Sequence, residues 1–154
     1  MQTLSYESLM EQWSTGVPAN LLQQDGIKAQ FASAAAVVLY LNELHKDGAW
    51  QFHSARVGGF EDTVIGVDGY LVNTMTRQAF AVDFSLESDA NPRGNKRNCP
   101  WLVHVKRDWF DERPDGKWQL RSSCLKPLVR AFAPALANGP VAWQPLEAVF
   151  HGRH

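Results

Sequence analysis

From Ile27 to Leu44 the sequence leaves a helix almost no polar side. Ile27, Phe31, Ala34, Ala35, Val38, Leu41 and Leu44 recur with the alternating three- and four-residue spacing of one helical face. Ala32, Ala36, Val37, Leu39 and Tyr40 widen that face until the middle of the segment is apolar nearly all round. Such a helix must be covered on more than one side, so the rest of the chain is expected to wrap it. The spacing predicts a helix from Asp25 or Gly26 to Lys46, with Lys46 in its last turn and Gly48 just beyond as the stop signal. Two shorter helices flank this arrangement. Tyr6 to Trp13 is expected as one, capped by Ser5 with Leu9, Met10 and Trp13 as its apolar stripe, and Thr15-Gly16-Val17-Pro18 ends it. Ser122 or Ser123 is expected to cap the last, with Leu125, Leu128, Val129 and Phe132 on its stripe and Asn138-Gly139-Pro140 after it.

After Gly48 the period changes to two. Trp50–Val57, Thr63–Val72, Gln78–Leu86, Pro100–Phe110 and Lys117–Arg121 read as strands rich in Val, Trp, Phe and Tyr. Val72 to Arg77 is short enough for a hairpin loop, and Arg113-Pro114-Asp115-Gly116 is a sharper turn signal. Proline fixes φ at its second position and glycine accepts the positive φ that closes it. Pro100–Phe110 and Lys117–Arg121 are expected to pair through that turn, with Trp109 stacking on Trp118. The class that follows is α+β: N-terminal helices, an antiparallel or mixed meander of about five strands, and a C-terminal helix. At 154 residues one domain spanning 1–154 is expected.

Composition narrows the function classes. Fifteen basic against sixteen acidic residues leave a net charge of −1, which argues against a surface that attracts nucleic acid or anionic membrane everywhere. The two cysteines, Cys99 and Cys124, form no C-x-x-C unit, as is usual for a cytosolic protein. The first residues lack a basic and then apolar leader, and Phe31–Leu41 is too short an apolar stretch to cross a bilayer. A soluble, cytoplasmic protein with no membrane partner is therefore expected.

Alternation assigns faces to the strands. Phe80, Val82, Phe84 and Leu86 share one side of their strand; Ile65, Val67, Gly69 and Leu71 share one side of theirs; Trp50 and Phe52, and Trp101, Val103, Val105 and Trp109, do the same. With these sides inward, the other sheet face collects His53, Asp68, Tyr70, Asp83, Ser85, His104 and Lys106, floored by Ala55, Gly66, Ala79 and Ala81. This face is either the wet side of the sheet or a shallow groove for a small molecule or a protein partner, with His53, Tyr70, Ser85 and His104 as its binding residues.

Ile65-Gly66-Val67-Asp68-Gly69-Tyr70-Leu71-Val72, followed by Gln78-Ala79-Phe80-Ala81-Val82-Asp83-Phe84-Ser85, places one acid in a strand, then a hairpin, then a second acid in an apolar strand. With a helix before and a strand and helix after, this order resembles the PD-(D/E)XK nuclease core. The resemblance covers residues 27–136 and implies that Asp68 and Asp83 bind Mg²⁺ or Mn²⁺, with Glu43 as an accessory helix acid. It also implies a lysine two residues after the second acid, where this chain has Ser85. That departure removes the cation which stabilises developing negative charge, unless Lys106 or Lys126 replaces it.

Arg93, Lys96, Arg97, Lys106 and Arg107 concentrate positive charge with no acid among them, and Trp101 and Trp109 flank the segment. Basic groups beside aromatics suit single-stranded nucleic acid, so 93–107 is either a site for that partner or an ordinary solvated loop, whose field Asp108, Asp111, Glu112 and Asp115 dilute. The chain is thus expected to be a small α+β binding or interaction domain that needs no cofactor and has no assured catalytic machinery. The alternative is a metal-dependent nuclease, intact or degenerate, that uses Mg²⁺ or Mn²⁺ at Asp68 and Asp83.

Overall fold

The computed structural model describes residues 5–46, 48–54, 69–86, 102–137 and 144–145. The central helix of the sequence is the centre of the structure. It is α3, Asp25–His45, preceded by α1 (Tyr6–Ser14) and α2 (Ala19–Leu22). Every residue from Ala29 to Ala35 is buried, as are Val37, Val38 and Leu41. Helices α1 and α2 pack against α3, and so does α4, Leu125–Ala137.

Helix α1 starts where its cap predicts. Ser5 Oγ accepts from Ser8 N–H at 3.1 Å while Ser8 Oγ accepts from Ser5 N–H at 3.0 Å, which satisfies two donors that a helix start leaves open. Leu9, Met10 and Trp13 are its buried stripe. Helix α3 ends one residue earlier than the Gly48 signal suggests. Lys46 itself takes the left-handed conformation, φ 54° and ψ 39°, and its N–H bonds back to the carbonyls of Asn42 and Glu43. Before α4 the serines do not cap: a 3₁₀ turn, Ser122–Cys124, leads into the helix with no side-chain cap bond.

The described strands are β1 (Trp50–Ser54), β2 (Gly69–Asn73), β3 (Gln78–Leu86), β4 (Leu102–Val105), β5 (Phe110–Glu112), β6 (Trp118–Leu120) and β7 (Gln144–Pro145). They form a five-stranded sheet of order β1-β2-β3-β4, with β7 also paired to β3, and a separate β5–β6 hairpin. Pairing is antiparallel at β1–β2, β2–β3 and β3–β7 and parallel at β3–β4, so the sheet is mixed. Gln78 and Ala79 pair with both β2 and β7, so β7 lies on the edge of β3 that β4 also occupies further along.

The single strand expected over Pro100–Phe110 is two. A 3₁₀ turn at Arg107–Trp109 separates β4, in the large sheet, from β5, in the hairpin. The hairpin turn itself is as expected: Gly116 has φ +84° and its N–H bonds Arg113 O at 2.9 Å. Trp118 stacks on Phe110, with ring centroids 5.5 Å apart, and not on Trp109, the partner expected for it. The Arg107 guanidinium also lies over the Trp118 ring, 4.0 Å from its centroid.

One core runs through both sheets. Phe31, Val38 and Leu41 of α3 join Phe52, Leu71, Val82, Phe84 and Val103 of the large sheet and Phe110, Trp118 and Leu120 of the hairpin. Gly69 is forced by this packing. A Cβ there would strike the ring of Phe52 and lie 2.6 Å from the carbonyl oxygen of His53.

Candidate functional site

The sheet face expected to bind does not assemble a site among the described residues. Tyr70 is 8% exposed and Val72 fully buried, so β2 is covered on both sides rather than wet on one. His53 and His104 are exposed as expected, but on opposite edge regions of the sheet. His53 lies opposite Tyr70, Tyr70 opposite Ala81, and His104 opposite Ser85. Three strand spacings and four residues along β3 separate the two histidines by roughly 20 Å. His53 Nε2 hydrogen-bonds Gln51 Oε1 at 2.9 Å.

Both metal carboxylates implied by the nuclease resemblance have side chains outside the described part of the structure. Asp68 lies outside the described residues, as do Arg93, Lys96 and Arg97 of the basic segment. Asp83 sits in β3 opposite Leu102, and Ser85 opposite His104; the side chains of Asp83 and Ser85 lie outside the described part. Lys106 is exposed beside β4, Lys126 is exposed on α4, and Glu43 lies on the side of α3 that faces the β5–β6 hairpin. Among the described residues no group of three or more His, Cys, Asp and Glu side chains is arranged to hold a metal ion. Arg107 is engaged with Trp118 and also donates to Phe110 O at 3.3 Å.

A different surface is built from side chains far apart in sequence. Its anchor is Arg113, at the start of the hairpin turn. Both terminal nitrogens of its guanidinium lie 3.2 Å from Glu7 Oε1, its Nε lies 3.5 Å from Asp115 Oδ2, and its centre sits 5.2 Å from the Tyr6 ring centroid. The Tyr6 hydroxyl donates to Trp118 O. Burial pushes the Tyr6 phenol well above its ordinary 10.0, against the opposing pull of Arg113. Glu7 is held below its ordinary 4.5 by its own backbone amide and by the Arg113 bond. These contacts hold α1 against the hairpin.

Beside this clamp an open groove of about 280 Å³ runs between α3 and the chain from β6 into α4. Ala36, Leu39, Leu120 and Leu125 form its floor, and Tyr6 and Tyr40 stand in its walls. Glu43, Gln119, Arg121 and Ser122 supply its polar rim. The local reason is helical geometry: Ala36, Leu39, Tyr40 and Glu43 recur at three and four residues and so share one face of α3. Leu44, one turn beyond Tyr40, continues past the groove and is 57% exposed. Arg121 Nε donates to Asp111 Oδ1 at 2.9 Å, so its charge is paired. Among the described residues neither the Glu43 carboxylate nor the Tyr40 hydroxyl has a hydrogen-bond or ion-pair partner.

Sequence reasoning named Glu43 for a different role and counted Leu39 and Tyr40 as core. In the structure Leu39 and Tyr40 are only half-buried and Glu43 is exposed, although Leu41 between them is buried. Comparison of the chain with protein-family models, curated proteins and solved structures finds no match.

Proposed function

We propose that this chain is a ligand-binding domain, and that the groove between α3 and the β6–α4 segment takes a small, largely apolar molecule. The observation that carries this is the combination of an apolar floor with polar side-chain groups at the rim, Tyr40 and Glu43, that have no partner among the described residues. Ligand sites commonly pair an apolar lining with a few placed polar groups, and a volume of about 280 Å³ sits at the small end of that class. The expected outcome is that small fragments shift the methyl signals of Leu39, Leu120 and Leu125. Ala36→Phe, which fills the floor, should remove those shifts without lowering the melting temperature by more than a few degrees. Failure of every fragment to move these methyls at millimolar concentration sinks the proposal.

A second reading, the metal-dependent nuclease, is favoured by one topological observation. Strands β2 and β3 are antiparallel neighbours across a short turn, their pairing reaches Gly69↔Val82, and β4 runs parallel to β3. On this reading Asp83 is a metal ligand, and Asp83→Asn abolishes both Mn²⁺ binding and DNA cleavage. Calorimetry decides it: no heat on titration with millimolar Mn²⁺ removes the nuclease.

A further inference from the structure

We infer that the ligand of the α3 groove is an organic cation, an ammonium or guanidinium group on a small aliphatic or aromatic body. This rests on the groove being a binding site and adds the charge of what fills it.

The argument is one of charge complementarity. Two formal charges line the groove, Glu43 and Arg121. The charge of Arg121 is offset by Asp111, whose Oδ1 accepts from Arg121 Nε at 2.9 Å, whereas Glu43 has no cation within ion-pair distance among the described residues. An anionic ligand would therefore meet the repulsion of Glu43 and, at Arg121, a charge already offset by Asp111. A cationic one meets a free carboxylate at once. Tyr40 stands one helical turn before Glu43 on the same face, so its ring is available to a cation seated at the carboxylate, and its hydroxyl is free to accept from an N–H. Tyr6, the other aromatic, is committed elsewhere: its hydroxyl bonds Trp118 O and its ring faces the Arg113 guanidinium. The cation end of the groove is thus the Glu43–Tyr40 end. The apolar floor of Ala36, Leu39, Leu120 and Leu125 takes the body of the ligand.

Three probes of one shape and different charge test this: phenethylamine, 2-phenylethanol and phenylacetate, titrated at low ionic strength while the methyls of Leu39, Leu120 and Leu125 are followed. Phenethylamine should bind about fivefold more tightly than the alcohol, the order expected of one partly screened charge pair, and phenylacetate most weakly. Glu43→Gln should bring the amine to the affinity of the alcohol, with a much smaller change for the alcohol itself. Equal affinity of amine and alcohol for the wild-type protein overturns the inference while leaving the groove a binding site, as does an amine preference that survives Glu43→Gln. Tightest binding by phenylacetate overturns it too and makes Arg121 the anchor. If none of the three moves the groove methyls at millimolar concentration while the protein stays folded, the cation and the groove fall together.

Discussion

Asn42 shows how a single side chain decides where an element may end. It sits in the last turns of α3, with Oδ1 accepting from Trp50 N–H at 2.9 Å and Nδ2 donating to Trp50 O at 3.0 Å. Both backbone groups of Trp50 therefore point away from β2 and are satisfied by one amide. The neighbouring residue faces the other way: Ala49 O accepts from Thr74 N–H at 2.9 Å. Replacing Asn42 by Ala removes both of these bonds at a part-buried strand end. At about 1 kcal/mol for each bond the loss should be about 2 kcal/mol. Asn42→Asp should lose nearly as much, because it keeps the acceptor but sets a carboxylate against the Trp50 carbonyl. Urea unfolding measures both, and a loss below about 0.5 kcal/mol for Asn42→Ala, the range of ordinary surface changes, refutes the clamp. Ser33 is the opposite case, a fully buried hydroxyl with no hydrogen-bond partner in the described structure.

At the scale of elements, the same bond belongs to a pattern. β1 is the edge of the large sheet, and its outward-facing groups are met by helix side chains: Asn42 at Trp50, and Trp13 Nε1, which donates to Phe52 O at 3.1 Å. Covering an edge this way blocks the open ladder that would recruit another chain. The limits of α1, α3 and β3 were legible because each has a clean period and, for α1, a cap. Two elements were misread for reasons visible in particular residues. In the segment after Pro100, strict alternation puts position 107 inward, yet 107 is an arginine and the next buried residue is Phe110, at the opposite parity. That slip is the mark of the 3₁₀ turn that ends β4. In β2, Gly69, Tyr70, Leu71 and Val72 are all buried, and an apolar run of both parities signals cover on both faces. Alternation with Leu71 puts Tyr70 on the polar face, and the run of buried residues overrides that assignment. The groove was not legible at all: it joins Tyr6, Tyr40, Leu120 and Leu125, and no local spacing brings such positions together.

At the scale of the whole molecule, α3 holds the two sheets in common. It packs against β1 and β3 on the large sheet and against β6 of the hairpin, while the two sheets share no ladder. The core contacts of the hairpin with the rest of the molecule therefore depend on α3 and on α1, which the Arg113–Glu7 pair and the Tyr6 bond hold to the turn. That pair is exposed on the Glu7 side, so most of the coupling belongs to the buried helix. Val38 is fully buried at the middle of α3. Val38→Asp places an unpaired carboxylate there and should cost about 3–5 kcal/mol, the range for an uncompensated buried charge. If α3 couples the two sheets, the loss must appear in both at once. The amides of Leu71 in β2 and Leu120 in β6 should gain the same amount of hydrogen-exchange rate, and unfolding followed at either should give one midpoint. A milder substitution, Val38→Ala, keeps the experiment readable should the aspartate variant fail to fold; a deletion of two methyl groups in a packed core should still lower both protections together by a smaller step. Faster exchange confined to the large sheet, with Leu120 unchanged, is the outcome that separates the hairpin from the core and ends the description of α3 as their shared support.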